Sequence, residues 1–357
     1  MPKKILEFSS DSQVGGATRH ILTLVKTNKE KYKFILVGCP GWFISEAQKL
    51  KLRYFSCNLK SAFDFKHILK LRKFIKTEQP NLIHLHGIRA GAVGFLATLF
   101  LKVPVIYSEH LYTKDYHLKS WLREKIQVNF LNLILHRVQK IIVPSRAVKE
   151  FLIEILKVKT TKIVIVYNGL EEKNVKLNSD VQLKIGFVGS LNEQKGVEYL
   201  IAAMHRLIYY FPKLKLEIVG DGPLRSFLEN QAKDLKNKIK FVGAKQNIYS
   251  YLKSWKLLVI PSISESFGQV ALEAAIAEKP VVASRVGGLP EVVLNHKTGI
   301  LIEPKNVDEL VKAITYLLNH SKIAQKMGVE AKSRFKQKFT AQKMIKNINL
   351  IYDEIAN

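Results

Sequence analysis

Short apolar runs alternate with longer segments of helical period along this chain, and the alternation occurs twice. KILEFSS is followed by ATRHILTLVKTN; then come KFILVG, NLIHLHG with AGAVGFLATLF, VPVIYSEH, KIIVPS with RAVKEFLIEILK, and KIVIVYNG. After a polar, aperiodic stretch, EEKNVKLNSDVQ at 171–182, the same grammar restarts with LKIGFVGS, GVEYLIAAMHRLIYYF, KLKLEIVGDG, KIKFVG, KLLVIPS, KPVVAS and TGILIEP. Continuous apolar runs of this length are strands covered on both faces, and the helical segment between two of them is the crossover that parallel pairing requires. The pattern predicts an α/β chain with Rossmann-like domains at 1–169 and 183–335 and a linker at 170–182; a final helix at 336–357 is expected to return to the first domain. A length of 357 residues is enough for two separate cores. Open parallel sheets take ligands outside the carboxyl ends of their strands, so the expected site is a cleft that both sheets face.

The charge balance indicates the kind of partner. There are 57 basic residues against 30 acidic ones, a formal charge of +27. Such an excess calls for an anion: nucleic acid, a membrane surface or a phosphorylated substrate. Residues 1–168 hold 29 of the basic and 11 of the acidic residues, a net +18, and the remainder of the chain carries +9. Cys39 and Cys57 have no metal-ligand spacing and read as small buried hydrophobes, which suits a reducing cytoplasm. MPKKILEFSS passes straight into a strand without the apolar core of a signal peptide, and the longest uncharged apolar stretch, AGAVGFLATLFL at 90–101, is too short to span a bilayer. The expectation is a cytoplasmic protein, either soluble or resting on a membrane.

The stretch PSISESFGQVALEAAIAEKPVVAS, from Pro261 to Ser284, places Glu265 in a loop and Glu273 about two turns into a helix. Ser266 and Gln269 fit a capping box at the start of that helix. Backbone amides of Ser266, Phe267, Gly268 and Gln269 would then face a phosphate or sugar oxygen, with Gly268 permitting close approach. Carboxylates accept from both hydroxyls of a diol, so Glu265 suits a sugar and Glu273 a ribose. VGSLNEQKGVEYLI is a strand, a turn and a helix start, with Lys195 adding a point charge where a helix N-terminus favours an anion. GDGP at 220–223 reads as a tight turn. His84 and His86 end a strand; His84 reads as structural, and His86 is open between structure and function. Asn168 and Gly169 form the turn that leaves the first domain, and for the Gly287–Gly288 turn packing and ligand contact are equally open.

The residues ESFGQVALE, two glutamates separated by seven positions, resemble the signature of family 4 of the retaining glycosyltransferases, which have the two-domain GT-B fold. QVGGATRHILTL, NLIHLHG, VPSRAVKEFL, VYNGLE, VGSLNEQKG, VGDGPLR and PVVASRVGGLPEVVLNHKTGILIEP extend the resemblance over nearly the whole chain, in order. It implies a retaining transfer from a nucleotide sugar, UDP- or GDP-linked, with no cofactor and no metal; no Asp-x-Asp motif is present. It places Glu273 on the ribose, Glu265 and the SFG amides on the donor sugar and distal phosphate, and Lys195 on the diphosphate. Gly15 and Gly16 match a glycine loop that approaches the phosphates, His110 a histidine near the reaction centre, and Val242 and Gly243 the base-binding edge. Ser190 stands where many members carry arginine; Arg19 or Arg285 are the candidate substitutes. Nucleotide sugars already carry a good leaving group, so orientation and charge neutralisation suffice and no covalent nucleophile is nominated.

The basic surplus has two candidate locations. LKSAFDFKHILKLRKFIK at 59–76 mixes Phe63, Phe65, Ile68, Leu69 and Ile75 with Lys60, Lys66, Lys70, Arg72, Lys73 and Lys76. YHLKSWLREKIQVNFLNLILHRVQK at 116–140 carries Lys119, Trp121, Arg123 and Lys125. Basic and aromatic residues along amphipathic helices suit anionic lipid headgroups. The expected acceptor is therefore a lipid-linked or growing glycan of a surface polysaccharide, capsule or lipopolysaccharide, met at the inner face of the cell membrane. The alternatives are a sugar-nucleotide epimerase of the same architecture and a non-catalytic glycosyltransferase subunit. A nucleic-acid partner is not expected, since no base-stacking module accompanies the charge.

Overall fold

The computed structural model describes residues 2–12, 15–57, 65–115, 121–175 and 183–356. The chain divides into two compact units, one made of residues 1–112, 117–171 and 341–357, the other of residues 113–116 and 172–340.

In the first unit seven parallel strands lie in the order β3-β2-β1-β4-β5-β6-β7: β1 (Lys4–Ser9), β2 (Lys33–Gly38), β3 (Arg53–Ser56), β4 (Leu82–His86), β5 (Val105–Ser108), β6 (Lys140–Val143) and β7 (Ile163–Ile165). The central strands are the continuous apolar runs, and they are buried almost throughout. The exposed edge strand RYFS of β3 has no such run, which is why the apolar pattern passes over it. The crossovers are α1 (Gly16–Asn28), α2 (Trp42–Lys49), α3 (Phe65–Glu78), α4 (Gly87–Thr98), α5 (Trp121–Arg137) and α6 (Arg146–Glu154). Ser145 starts α6 by accepting from the Val148 amide at 3.2 Å, satisfying one of the orphan donors of a helix N-terminus. α3 buries Ile68, Leu71 and Ile75 but leaves Phe65 and Leu69 exposed, and Arg72 turns inward to donate to the Ala97 and Leu99 carbonyls at the end of α4. Arg72 thus belongs to the framework and is not part of a lipid-facing surface. Phe63, Lys60, Lys119 and the side chains of Trp121 and Arg123 lie outside the described residues.

The last helix of the chain, α14 (Ala341–Ile355), belongs to this unit: Met344, Ile345, Ile348 and Tyr352 are buried in one core with Ile5, Ile21, Val25 and Leu36. The Ala341 amide donates to the Leu170 carbonyl and the Gly169 amide points at Met344 Sδ, so the start of α14 is tied to the end of the first stretch of chain.

The second unit holds six parallel strands in the order β10-β9-β8-β11-β12-β13: β8 (Lys184–Val188), β9 (Lys215–Val219), β10 (Ile239–Gly243), β11 (Leu257–Ile260), β12 (Val281–Ser284) and β13 (Gly299–Ile302). Its helices are α7 (Val197–Tyr210), α8 (Arg225–Gln231), α9 (Tyr249–Leu252), α10 (Gln269–Ile276), α11 (Leu289–Val292), α12 (Val307–Asn319) and α13 (Ser321–Lys338). In each sheet the strand order reverses beside the first strand, between β1 and β4 and between β8 and β11, and this is where open α/β sheets leave a crevice at their carboxyl edge. Among the described residues no helix is long and apolar enough to cross a membrane.

Gly186, in the middle of β8, has the Trp255 ring lying directly on its backbone. A Cβ there would be 2.0 Å from Trp255 Cε3, and the indole is pinned by a 2.8 Å hydrogen bond to Glu217. Trp255 has no exposure and nowhere to retreat. Gly186→Ala should therefore destabilise the second unit by about 1–3 kcal/mol through overpacking, read as a lower denaturant midpoint at unchanged m-value.

Candidate active site

Three loops at the carboxyl ends of β8, β11 and β12 are tied together by backbone contacts. After β8, residues 193–195 form a 3-10 turn, and Gly196 takes a left-handed conformation, φ 59°, before α7 begins. A Cβ on Gly196 would lie 2.1 Å from the Pro261 carbonyl oxygen, so the β8 and β11 loops meet backbone to backbone. The Ile263 amide donates to the Gln194 carbonyl at 2.8 Å and closes that seam. On the other side Gly287, φ 49°, would place a Cβ 1.8 Å from the Glu265 carbonyl oxygen, which accepts from the Gly288 amide at 3.0 Å. The glycine turn at 287–288 therefore has a packing role. The β8 loop is braced from β9 as well, the Leu191 amide donating to Asp221 at 2.9 Å.

This lacing brings Lys195 and Glu265 together as a hydrogen-bonded ion pair, although 70 residues separate them. Both side chains keep some exposure, 26% and 13%. Glu273 lies on α10, 7% exposed, in the second turn of a helix that begins at Gln269. It is one turn into the helix rather than two. The capping box expected at Ser266 does not form, because the residue before the helix is Gly268, left-handed at φ 87°. Phe267 is drawn into the core against Phe339 at a centroid separation of 5.8 Å, and this burial holds the SFG segment outside the first helical turn. Ser190 is exposed on the β8 loop. Val242 and Gly243 lie at the end of β10, where a Cβ on Gly243 would be 3.6 Å from the Arg225 guanidinium; Arg225 itself pairs with Asp221 and Glu229. Arg285, a candidate substitute for the missing arginine, is paired with Glu303 at 3.2 Å.

In the first unit Gly15 precedes α1 in an extended conformation, its amide donating to Thr18 Oγ1 at 3.0 Å, and Gly16 is the first helical residue. Gln13 and Val14 lie outside the described residues. His110 is carried on a turn after β5 that a buried carboxylate organises. Glu109 Oε1 accepts from the amides of His110, Leu111 and Tyr112 at 2.9, 2.8 and 3.3 Å, and Oε2 accepts from Tyr107 at 2.9 Å. Burial pushes the Glu109 carboxyl up, against the backbone donors that lower it.

Behind His110 lies a polar network in the core of the sheet. Glu7 in β1 is opposite His84 in β4 in the strand register, and the period of two puts His84 and His86 on one face. His86 Nε2 is 2.8 Å from Glu7 Oε2, and His86 Nδ1 is 3.1 Å from His110 Nε2. Tyr352 of α14 donates to Glu7 Oε1 at 2.5 Å and is 2.6 Å from His84 Nδ1, while His84 Nε2 is 2.7 Å from Ser108 Oγ. His20 of α1 packs edge-on against His110, with centroids 5.6 Å apart. Burial raises the Glu7 carboxyl, but the His84 and His86 rings outweigh it and hold it well below the usual carboxylate range. Burial also drives His86 and His20 down to about 4 and His110 well below its ordinary value. Glu7, His84 and His86 have the composition of a metal site, with ligand-type atoms within 4.8 Å of one another. Those atoms are already engaged with Tyr352, Ser108, His110 and each other, so the group is a closed hydrogen-bond network.

Glu7, His20, Glu109 and Tyr352 had no place in the sequence reading. A charged residue in mid-run, as in KILEFSS, was the available signal for Glu7. Nothing near Tyr352 marks it.

Residues 152–334, more than half of the chain, match the family described as Glycosyl transferases group 1, and residues 14–173 match Glycosyltransferase Family 4. An uncharacterised glycosyltransferase of Methanocaldococcus jannaschii is 29% identical over 352 residues, 96% of each chain. A UDP-Gal:alpha-D-GlcNAc-diphosphoundecaprenol alpha-1,3-galactosyltransferase of Escherichia coli is 26% identical over 323 residues, 84% of this chain and 82% of that one. The crystal structure of Anabaena HepE in complex with UDP-glucose superposes with a TM-score of 0.87 at 21% identity, over 98% of this chain and 99% of that one, a likeness of fold. With two parallel-sheet Rossmann-like domains and a family match over more than half its length, the chain belongs to the glycosyl transferases group 1 family and has the fold of GT-B glycosyltransferases.

Proposed function

We propose that the chain transfers a sugar from a UDP- or GDP-linked donor to a lipid-linked or growing glycan of a surface polysaccharide, with retention of anomeric configuration and without a metal. The observation that carries this reading is the Lys195–Glu265 pair at the strand-order reversal of the second sheet, with Glu273 one turn into the helix that follows. Lys195 neutralises the diphosphate as charge develops on it, Glu265 accepts from hydroxyls of the transferred sugar, and Glu273 accepts from the ribose diol. The backbone of Val242 and Gly243 offers an edge for the base, and Ser190 with the SFG segment borders the phosphates. Gly15 and Gly16 are assigned to the phosphates and His110 to the transferred sugar.

The acceptor oxygen bonds to the anomeric carbon on the face from which the nucleoside diphosphate leaves. The carbon–oxygen bond to the phosphate breaks with its electron pair, and a departing phosphate oxygen takes the acceptor's proton. No protein nucleophile is needed, because the leaving group is good and the site supplies orientation and countercharge.

Support for a lipid-linked acceptor comes from the E. coli relative, whose name specifies a diphosphoundecaprenol-linked sugar. The surface of α3 fits that reading, with Phe65 and Leu69 exposed one helical turn apart beside Lys66, Lys70 and Lys73, and α5 adds exposed Ile126 and Leu133 with Lys125.

Thermal stabilisation across a panel of UDP-, GDP- and ADP-sugars, followed by NMR of the product's anomeric proton, tests the donor and the stereochemistry; an inverted product overturns retention. Glu273→Ala should weaken every donor by about 1.5–3 kcal/mol, roughly 10- to 150-fold in Kd by calorimetry, as expected for a lost charge-assisted contact, and unchanged affinity would refute the ribose role. Flotation with anionic liposomes at low salt should carry the protein upward, and Phe65→Ser with Leu69→Ser should leave it at the bottom of the gradient. Wild-type protein that stays at the bottom would count against membrane docking.

A further inference from the structure

The buried network ends on the one residue of the first unit assigned to the transferred sugar, and its hydrogen bonds run in a fixed direction. A carboxylate only accepts, so His86 must donate to Glu7 through Nε2, at 2.8 Å. A neutral imidazole has one proton, which leaves His86 Nδ1 as an acceptor. The atom facing Nδ1 at 3.1 Å is His110 Nε2, which must then be the donor. The two rings are inclined by only 9°, with centroids 5.5 Å apart, a geometry that accommodates the nitrogen-to-nitrogen hydrogen bond. At the other end Tyr352 donates to the second oxygen of Glu7, so the carboxylate cannot turn away from His86.

We propose that Glu7 and His86 are positioning residues that hold His110 in the tautomer protonated at Nε2, with Tyr352 fixing the far end of the chain, so that His110 Nδ1 can only accept a hydrogen bond. Toward the substrate of the proposed reaction, Nδ1 in this tautomer can only accept and cannot donate to the leaving phosphate. This second step rests on the proposed role of His110. The low-lying histidine pKa values agree with the neutral rings that the network needs. His20 packs on both rings, with centroids 6.0 Å from His86 and 5.6 Å from His110, and Glu7 and His86 are buried.

Long-range proton–nitrogen correlation spectra of protein labelled with 15N-histidine, with His110 assigned through the signal missing in His110→Gln, read the tautomer directly. The expected spectrum at neutral pH shows a protonated Nε2 and an unprotonated Nδ1. A ring protonated at Nδ1, or at both nitrogens, overturns the proposal. The measurement needs no substrate, so an inactive protein would sink the functional reading while this one is still decided by the spectrum. In an active protein, His86→Leu should lower kcat by about 10- to 100-fold with the donor KM held within about threefold, and His86→Asn, whose amide oxygen can occupy the place of Nδ1, should recover part of the loss. If His86→Leu fails to fold, the wild-type spectrum and His86→Asn still decide. An unchanged kcat in folded His86→Leu overturns the proposal.

Discussion

Glu7 carries a carboxylate with no solvent exposure, between Leu6 and Phe8 on a strand covered on both faces. Left alone, a charge at such a position costs several kcal/mol, and removing one partner of a buried pair typically costs about 3–5 kcal/mol. Three conditions are needed to meet it. β4 must lie beside β1 in the register that sets His84 opposite Glu7, β4 must carry a second histidine two residues on, and α14 must bring Tyr352 from 345 residues away. The final helix therefore has two tasks in the first unit, filling the core with Met344, Ile345 and Ile348 and closing the polar network. A chain that lost α14 would expose the core and take the Tyr352 donor from the carboxylate.

The second unit obtains its geometry by a different route. Its loops are held by close backbone approaches, at Gly196 on Pro261 and at Gly287 on Glu265, where any side chain would collide with a carbonyl. Each of those glycines is left-handed, so both conformation and space exclude other residues. The result places Lys195 beside Glu265 without burying either completely.

Much of this was legible in the sequence where burial leaves a mark. Strands covered on both faces are dominated by apolar residues, so β1, β2, β4, β8, β11 and β12 can be read from residue type even though β1 and β4 carry Glu7, His84 and His86. The exposed β3 could not, because an edge strand with water on its faces carries no such requirement. The capping box at Ser266 failed for a related reason: pattern sees the cap but not the core that claims Phe267 one residue later. Lys195 and Glu265 were each identifiable as ligand-type residues, yet their pairing depends on which strands are neighbours. Tyr352 was beyond reach for the same cause, since a tyrosine in an amphipathic helix is ordinary until the partner of its hydroxyl is known.

The two polar centres differ in how readily they can be rearranged. A partly exposed ion pair such as Lys195–Glu265 is typically worth about 1 kcal/mol or less, so in the proposed reaction a diphosphate takes the lysine at small cost and frees the carboxylate for a sugar hydroxyl. In the Glu7–His86–His110 chain the first two groups are buried, and each link restricts the next. A transferase needs both kinds of behaviour. Under the proposed assignment, Lys195 and Glu265 release their contact as substrate arrives, whereas His110 gains from an orientation already set before binding.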